Sequence, residues 1–202
     1  MSPRDPVPMN TVNVRALAAL PPEAWRNGGG VTRTLATNAN ANADADAWRV
    51  SIAEVERDGP YSRFAGMTRV SFVLRGAGVV LREGALEVSL TPNEAVEYTG
   101  NAAWDARLVG GAVTVLNVMS AAQKYRVAVR PLCASVTVDA GGVALVLALD
   151  GACDIGGGLA GHTRLASGEY ATFADVRAPL AVAPATPGAR IVLVTLSPVA
   201  SP

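Results

Sequence analysis

The 202-residue chain carries 17 basic and 17 acidic side chains, so its formal net charge is zero. It lacks the basic excess of a nucleic-acid-binding protein, and we expect no nucleic-acid partner. No apolar run reaches the roughly 18 residues of a membrane-spanning helix, and the N-terminus lacks the apolar core of a secretory signal. We therefore expect a cytoplasmic protein with no membrane contact.

The histidine and cysteine content restricts the metal and redox chemistry. His162 is the only histidine, and Cys133 and Cys153 are the only cysteines. A histidine-rich zinc, iron or copper site cannot be built from one imidazole, so we predict a metal-free protein without a cofactor. We interpret His162 as a surface side chain and the two cysteines as reduced, buried thiols.

The chain begins with a tail over residues 1–10 and a first short strand over residues 11–17. Residues 21–30 then read Pro-Pro-Glu-Ala-Trp-Arg-Asn-Gly-Gly-Gly. Consecutive glycines indicate a backbone with positive φ or a close approach to another group. One interpretation is a ligand loop, and the other is a tight turn with Trp25 packed under it.

Alternating residues predict the next strands, at residues 31–36 and 48–55. Between them, residues 37–47 are low in complexity and predict a solvated hairpin connection. The second strand places Arg49 and Ser51 on one face and Trp48 on the other. Two interpretations stay open, because Arg49 and Ser51 could face a ligand inside a barrel or face solvent.

Strand and turn signals then recur every eight to twelve residues from residue 68 to residue 192, which predicts an all-β sandwich or barrel. An internal repeat with an offset of 75 residues supports two copies of one unit. It aligns residues 74–78 with 149–153 and residues 93–98 with 168–173. The order of strands and glycine turns in each copy is typical of a jelly roll.

Four blocks of sequence resemble the HutD/Ves family, in the order that the family has them. They are Trp25-Arg26-Asn27-Gly28-Gly29-Gly30-x-Thr32-Arg33, the strand from Trp48 to Val55, the loop Asp58-Gly59-Pro60-Tyr61-Ser62-Arg63-Phe64-x-Gly66, and Asn117-Val118-Met119. The resemblance implies two cupin-like jelly-roll β-barrels in tandem, a bicupin, and a link to histidine utilisation. We expect an N-terminal barrel with a ligand pocket over residues 10–118 and a C-terminal barrel over residues 119–200.

The resemblance also implies a ligand site without metal. Metal cupins carry a His-x-His pair where this chain has residues 61–64, Tyr-Ser-Arg-Phe. A pocket with polar and aromatic walls suits a small organic ligand. We expect a carboxylate-bearing intermediate of histidine degradation, such as urocanate or a formyl- or formimino-glutamate, bound in a regulatory or buffering role. The predicted site residues are Trp25, Asn27, Gly28, Gly29, Thr32, Arg49, Ser51, Tyr61, Ser62 and Phe64.

Arg49 is the predicted partner of the carboxylate, within reach of Asn27 or of the backbone at residues 28–30, because a guanidinium matches two carboxylate oxygens. Two other classes of function stay open. The protein could be a metal-independent hydrolase or isomerase if Glu54 or Glu56 faces the pocket. Alternatively, it could be an assembly module whose second barrel supplies the surface of a homodimer.

Overall fold

The computed structural model describes residues 12–38, 47–157 and 161–199. Within these ranges the only helical element is a single 3-10 turn at Leu17–Ala19, and no helix is long and apolar enough to cross a membrane. The prediction of an all-β protein is therefore confirmed. The predicted tail at residues 1–10, residues 39–46 of the predicted hairpin connection and residues 158–160 lie outside the described residues.

The strands follow the alternating and glycine-punctuated segments of the sequence. In chain order they are β1 (Asn13–Ala16), β2 (Glu23–Ala24), β3 (Gly30–Thr37), β4 (Trp48–Val55), β5 (Gly59–Pro60), β6 (Met67–Arg75), β7 (Val79–Glu83), β8 (Leu86–Leu90), β9 (Ala95–Thr99), β10 (Asp105–Leu108), β11 (Val113–Ala121), β12 (Tyr125–Leu132), β13 (Val136–Val138), β14 (Val143–Asp150), β15 (Cys153–Gly156), β16 (Thr163–Leu165), β17 (Glu169–Phe173), β18 (Leu180–Pro184) and β19 (Arg190–Pro198).

Residues 20–129 form one compact unit. Its sheets have the strand orders β2-β3-β4-β11-β6-β9 and β5-β10-β7-β8. Apolar side chains from both sheets pack into one core, including Val55, Leu81, Trp104 and Val115. This core fills only part of the space beside the first sheet, because polar side chains occupy the same face of β4, β6 and β11 nearer one end.

The second compact unit combines residues 12–19 with residues 130–199. Its sheets have the orders β1-β17-β14-β19-β12 and β13-β18-β15-β16. Strand β1 pairs with β17 from Asn13 opposite Thr172 to Ala16 opposite Glu169, so the first strand belongs to a sheet built from the last third of the chain. The predicted boundary between residues 118 and 119 stays a prediction.

Strand pairing repeats between the two units. Strand β6 pairs with β9 and β11, and β7 pairs with β8 and β10. In the second unit β14 pairs with β17 and β19, and β15 pairs with β16 and β18. Arg69 opposite Tyr98 corresponds to Ala144 opposite Phe173, both 75 residues further along. The repeat seen in the sequence is thus present in the pairing register. We call the unit of residues 20–129 the first copy and the unit of residues 12–19 and 130–199 the second copy.

The cysteine prediction is right for one residue only. Both thiols are free, but Cys153 is buried in the second copy while Cys133 is exposed after β12. Burial raises the pKa of the Cys153 thiol to about 11, so this side chain is an apolar core residue at neutral pH. Cys133 is exposed because it follows the last buried position of β12, Leu132.

Candidate functional site

Two adjoining cavities lie in the first copy. The outer cavity is open and has a volume of about 490 Å³, whereas the inner cavity has a volume of about 60 Å³. They share the lining residues Trp25, Thr32, Arg49, Tyr61, Ser62 and Phe64. Asn27 lines the outer cavity and Ser51 the inner one, so the structure brings eight of the ten predicted site residues to these cavities.

The other two predicted residues, Gly28 and Gly29, belong to the turn that closes the loop. The Gly28 N–H donates to the Trp25 carbonyl at 2.9 Å, and the Gly29 N–H donates to Asn27 Oδ1 at 2.9 Å. Both amides therefore donate within the loop, and neither glycine lines the two cavities. Gly28 has a φ of 63°, which an L-residue adopts only with strain.

The third glycine serves strand packing. Gly30 opens β3, and a Cβ atom there would lie 2.2 Å from the Glu54 carbonyl oxygen. Asn27 then ties the loop to its neighbours, because its Nδ2 donates to the Pro60 carbonyl at 3.2 Å. Arg57 Nη2 donates to the Asn27 carbonyl at 2.8 Å. The glycine run is thus explained by a tight turn and a close backbone approach.

An aromatic wall stands over the cavities. Trp25 Nε1–H donates to Thr32 Oγ1 at 2.8 Å, which fixes the indole. Its ring meets Tyr61 edge-on, with centroids 5.6 Å apart and an interplanar angle of 84°. Burial raises the pKa of Tyr61, the neighbouring Tyr98 raises it further, and Arg69 lowers it only in part. Tyr61 is therefore a neutral phenol at physiological pH.

Arg49 lines both cavities but has different partners from those predicted. Its Nε and Nη2 donate to Thr34 Oγ1 at 3.1 and 2.6 Å, and Nη2 lies 3.6 Å from Glu23 Oε2. The expected contact with Asn27 or with the backbone at residues 28–30 is not among them, although Arg49 and Asn27 line the same outer cavity. The backbone of Arg49 pairs with Thr37, at the far end of β3 from Gly30. About 20 Å of extended strand separates those two ends.

Glu54 faces away from the cavities, as the alternation of β4 predicts. It forms an ion pair with Arg33, which lies on the neighbouring strand β3. Glu56 is exposed beyond the end of β4. Arg49, Ser51 and Ala53 therefore form the cavity face, and neither of the two glutamates proposed for acid–base chemistry lines either cavity.

Arg69 is the functional candidate that sequence reasoning missed. It lies on β6, lines the inner cavity and is only 4% exposed. Its Nη1 donates to the Ser62 carbonyl at 3.4 Å and its Nη2 to Asn117 Oδ1 at 3.3 Å. Its Nε is buried without a hydrogen-bond partner. Among the ion pairs of the described residues, none involves Arg69.

Aromatic rings surround this guanidinium. Its central carbon lies 5.4 Å from the ring centroid of Tyr61, 5.5 Å from that of Phe64 and 5.2 Å from that of Tyr98. Cation–π attraction offsets part of the desolvation of a buried guanidinium. It does not supply a hydrogen-bond acceptor, so Nε–H stays unsatisfied.

A buried hydrogen-bond network orients Arg69. The Ser71 hydroxyl donates to Asn117 Oδ1 at 2.7 Å, and the Tyr98 hydroxyl lies 2.9 Å from Ser71 Oγ. Because a serine hydroxyl has one proton, which here points to Asn117, Tyr98 is the donor to Ser71. The side-chain oxygen Oδ1 of Asn117 thus accepts hydrogen bonds from both Ser71 and Arg69. Arg69 and Ser71 alternate with apolar residues along β6, the same signal that drew attention to Arg49 and Ser51.

The second copy provides an internal comparison for this network. The cross-strand pair of Arg69 and Tyr98 corresponds to Ala144 and Phe173. In the strand pairing, Ser71 opposite Asn117 corresponds to Val146 opposite Leu193. All four residues of the second copy are buried in its apolar core. The first copy therefore keeps a polar interior where the second is filled with hydrocarbon.

Other chemical groups of the described chain lie outside the cavities. His162 has a side chain 64% exposed, with Nε2 3.4 Å from Asp154 Oδ1 in the second copy. Within residues 12–38, 47–157 and 161–199 no group of three or more His, Cys, Asp or Glu side chains is arranged to hold a metal ion. The absence of a bound metal in the protein itself stays a prediction.

Comparison with solved structures shows that this all-β chain has a cupin-like fold. A cupin 2 conserved barrel domain protein from Leptotrichia buccalis superposes with a TM-score of 0.52 at 15% identity, covering 83% of this chain and 89% of that one. The HutD family model matches residues 17–189, and the chain belongs to this family.

Individual relatives agree with this assignment. HutD from Pseudomonas fluorescens SBW25 superposes with a TM-score of 0.76 at 23% identity, over 94% of this chain and 100% of that chain. Protein Ves of Citrobacter koseri is 31% identical over 68% of this chain and 72% of its own length. An uncharacterised Pseudomonas putida protein encoded in the region 3′ of hutC is 36% identical over 50% of this chain. The chain spans 54% of the length of that relative.

Proposed function

We propose that the first copy binds a small carboxylate-bearing metabolite, and that Arg69 is the main partner of the carboxylate. The observation that carries the proposal is the buried Arg69, which faces a cavity without a carboxylate partner among the described residues. A buried charge without a counter-ion is strongly destabilising, so its presence calls for an anion. The inner cavity has the volume of about two water molecules, which suits a carboxylate group.

The second copy supports a functional origin for this arrangement. It forms the same strand pairs with Ala144, Val146, Phe173 and Leu193 at the corresponding positions. The fold therefore does not require the polar side chains of the first copy. Polar groups that a fold does not need, and that desolvation penalises, are typical of binding sites.

The body of the ligand would lie in the outer cavity, against Trp25, Tyr61 and Phe64. Arg49, Ser51, Thr32 and Asn27 would then offer polar contacts, with Arg49 near the open side. The names of two relatives refer to histidine utilisation, since one is HutD and another lies beside hutC. By extension, we propose a histidine-degradation intermediate of the urocanate or formyl- or formimino-glutamate type as the ligand. Its binding would sense or buffer the metabolite.

The finer architecture belongs to the same proposal. We propose that the two copies are cupin barrels in tandem, a bicupin, and that the binding barrel works without metal. The repeated pairing and the single histidine support these points. We also propose that the protein is cytoplasmic and forms a homodimer.

The two alternative classes have less support. An enzyme using Glu54 or Glu56 needs one of them in the pocket, whereas Glu54 pairs with Arg33 and Glu56 is exposed. An assembly module needs no pocket in the first copy, whereas the first copy has two adjoining cavities.

Isothermal titration calorimetry with urocanate, formylglutamate and formiminoglutamate tests the proposal. At least one should bind the wild type and lose its affinity in Arg69→Ala. The control is Arg82→Ala, which removes a guanidinium from a surface ion pair with Glu87 outside the cavities. Equal affinity of wild type and Arg69→Ala for every ligand, or no binding of any of them, would refute the proposal.

A further inference from the structure

The geometry points to Glu23 as a specificity-determining residue of the proposed site. We infer that its carboxylate pairs with Arg49 in the ligand-free protein and competes with the ligand for this guanidinium. A ligand then binds Arg49 only if it carries a second acidic group that displaces Glu23. This inference rests on the proposed function, because it requires a first carboxylate on Arg69. Glu23 and Arg49 then discriminate between dicarboxylates and monocarboxylates.

Glu23 stands at the open side of the site. It lies on the two-residue strand β2, which pairs with β3 through Glu23 opposite Thr32 and Ala24 opposite Val31. Its side chain is 63% exposed and lines the outer cavity, although not the inner one. A carboxylate in this position is free to turn into solvent without disturbing a buried contact.

The contact of Glu23 with Arg49 is the longer of the two contacts that Arg49 makes. Arg49 Nη2 lies 2.6 Å from Thr34 Oγ1 but 3.6 Å from Glu23 Oε2. The shorter contact holds the guanidinium in place on its own strand pair. A ligand carboxylate could therefore replace Glu23 while Arg49 keeps its position.

Arg49 and Arg69 flank the same residue of the strand between them. Both lie opposite Met119, one on β4 and the other on β6, and all three line the inner cavity. Their Cα atoms are thus about 10 Å apart, twice the spacing between neighbouring strands. Arg69 lines the inner cavity alone, whereas Arg49 lines both the inner and the outer cavity. A ligand anchored on Arg69 presents its far end to Arg49.

The two kinds of ligand consequently differ in what they displace. A monocarboxylate on Arg69 leaves the pair of Glu23 and Arg49 intact and gains nothing from Arg49. A dicarboxylate must displace Glu23, so part of its interaction with Arg49 is offset by the ion pair it breaks. Removing the charge of Glu23 should then favour the dicarboxylate alone.

The test is calorimetry of Glu23→Gln with glutarate and valerate, which have the same number of carbons but two and one carboxylates. Because partly exposed ion pairs are weak, we expect glutarate to bind about two- to fivefold more tightly than to the wild type. Valerate affinity should stay unchanged. Glu87→Gln is the matched control, since it removes a carboxylate from the surface pair with Arg82 and should change neither affinity.

A second variant keeps the test independent of any effect of Glu23 on the loop. Arg49→Gln should abolish the preference for glutarate over valerate. Glutarate affinity that is unchanged or lower in Glu23→Gln, or a preference that survives Arg49→Gln, overturns the inference while the proposed function stands. If neither acid binds the wild type, or if binding survives Arg69→Ala, the proposed function is overturned and this inference with it.

Discussion

Replacing Asn117 with aspartate would supply Arg69 with an internal counter-ion. The side chains of Asn and Asp have nearly the same shape, and Asn117 Oδ1 already accepts from Arg69 Nη2 and from Ser71 Oγ. Asn117→Asp keeps both acceptor contacts. It loses only the long donation from Nδ2 to the Val115 carbonyl, at 3.5 Å. The variant should therefore mimic the ligand-bound state of the guanidinium.

Two opposite effects are expected from this change. Aspartate gives the buried guanidinium a counter-ion, and desolvation of the new carboxylate offsets part of that attraction, so the ligand-free protein should gain on the order of 1 kcal/mol of stability. Contacts to a buried partner charge are worth about 2–5 kcal/mol, so anion affinity should fall at least thirtyfold.

Thermal unfolding and calorimetry of Asn117→Asp measure the two effects separately. Asn101→Asp is the control, because Asn101 Oδ1 accepts from the exposed Gly66 N–H and lies outside the cavities. That variant should retain the anion affinity of the wild type. If Asn117→Asp binds the same carboxylates with unchanged affinity, the anion does not sit on Arg69 and the reasoning is wrong.

Three further predictions follow from the structure. The first copy can be given the residues of the second copy by four substitutions: Arg69→Ala, Ser71→Val, Tyr98→Phe and Asn117→Leu. This variant should be a folded all-β protein by circular dichroism and should bind no carboxylate. An unfolded product would show that the polar interior is needed for folding. The raised pKa of Tyr61 means that its neutral form stabilises the fold below pH 10 and that this stability is lost as the pH rises above 10, because the unfolded phenol ionises first. Tyr61→Phe should reduce that loss in urea titrations at pH 9 to 11, and an identical pH dependence would contradict the assignment. Elemental analysis of protein purified without chelator should find no stoichiometric zinc, iron or manganese, and one ion per chain would refute the metal-free prediction.

The strands were predictable because alternation and turn chemistry are local. Strand β4 coincides with the predicted segment at residues 48–55, and β3 contains the predicted segment at residues 31–36. Sheet order was not predictable in the same way. Strand β11 inserts between β4 and β6 although it begins at residue 113 and β6 has already ended at residue 75. Only this insertion brings the polar faces of β4 and β6 to one cavity.

The partners of Arg49 were mispredicted although the sequence held the information. The predicted hairpin connection between residues 31–36 and 48–55 implies antiparallel strands, so the glycine loop before β3 should lie beside the end of β4 away from Arg49. Antiparallel pairing sets Gly30 against Val55 and Thr37 against Arg49, so the loop lies at the far end. Glu23 reaches Arg49 instead, from a two-residue strand too short to leave a periodic signal.

Arg69 was nevertheless within reach of the sequence, through the internal repeat. An alternating strand does not reveal whether its polar face meets solvent or a barrel interior. The offset of 75 residues aligns Arg69 with Ala144 and Ser71 with Val146, in a segment that is apolar at every position from 143 to 149. A face that is apolar in one copy is an interior face, because a solvated face would not be filled with alanine and valine. By symmetry the same face is interior in the other copy, so Arg69 and Ser71 are polar groups on an interior face. Comparing the copies thus turns an ambiguous alternation into a prediction of a buried polar site.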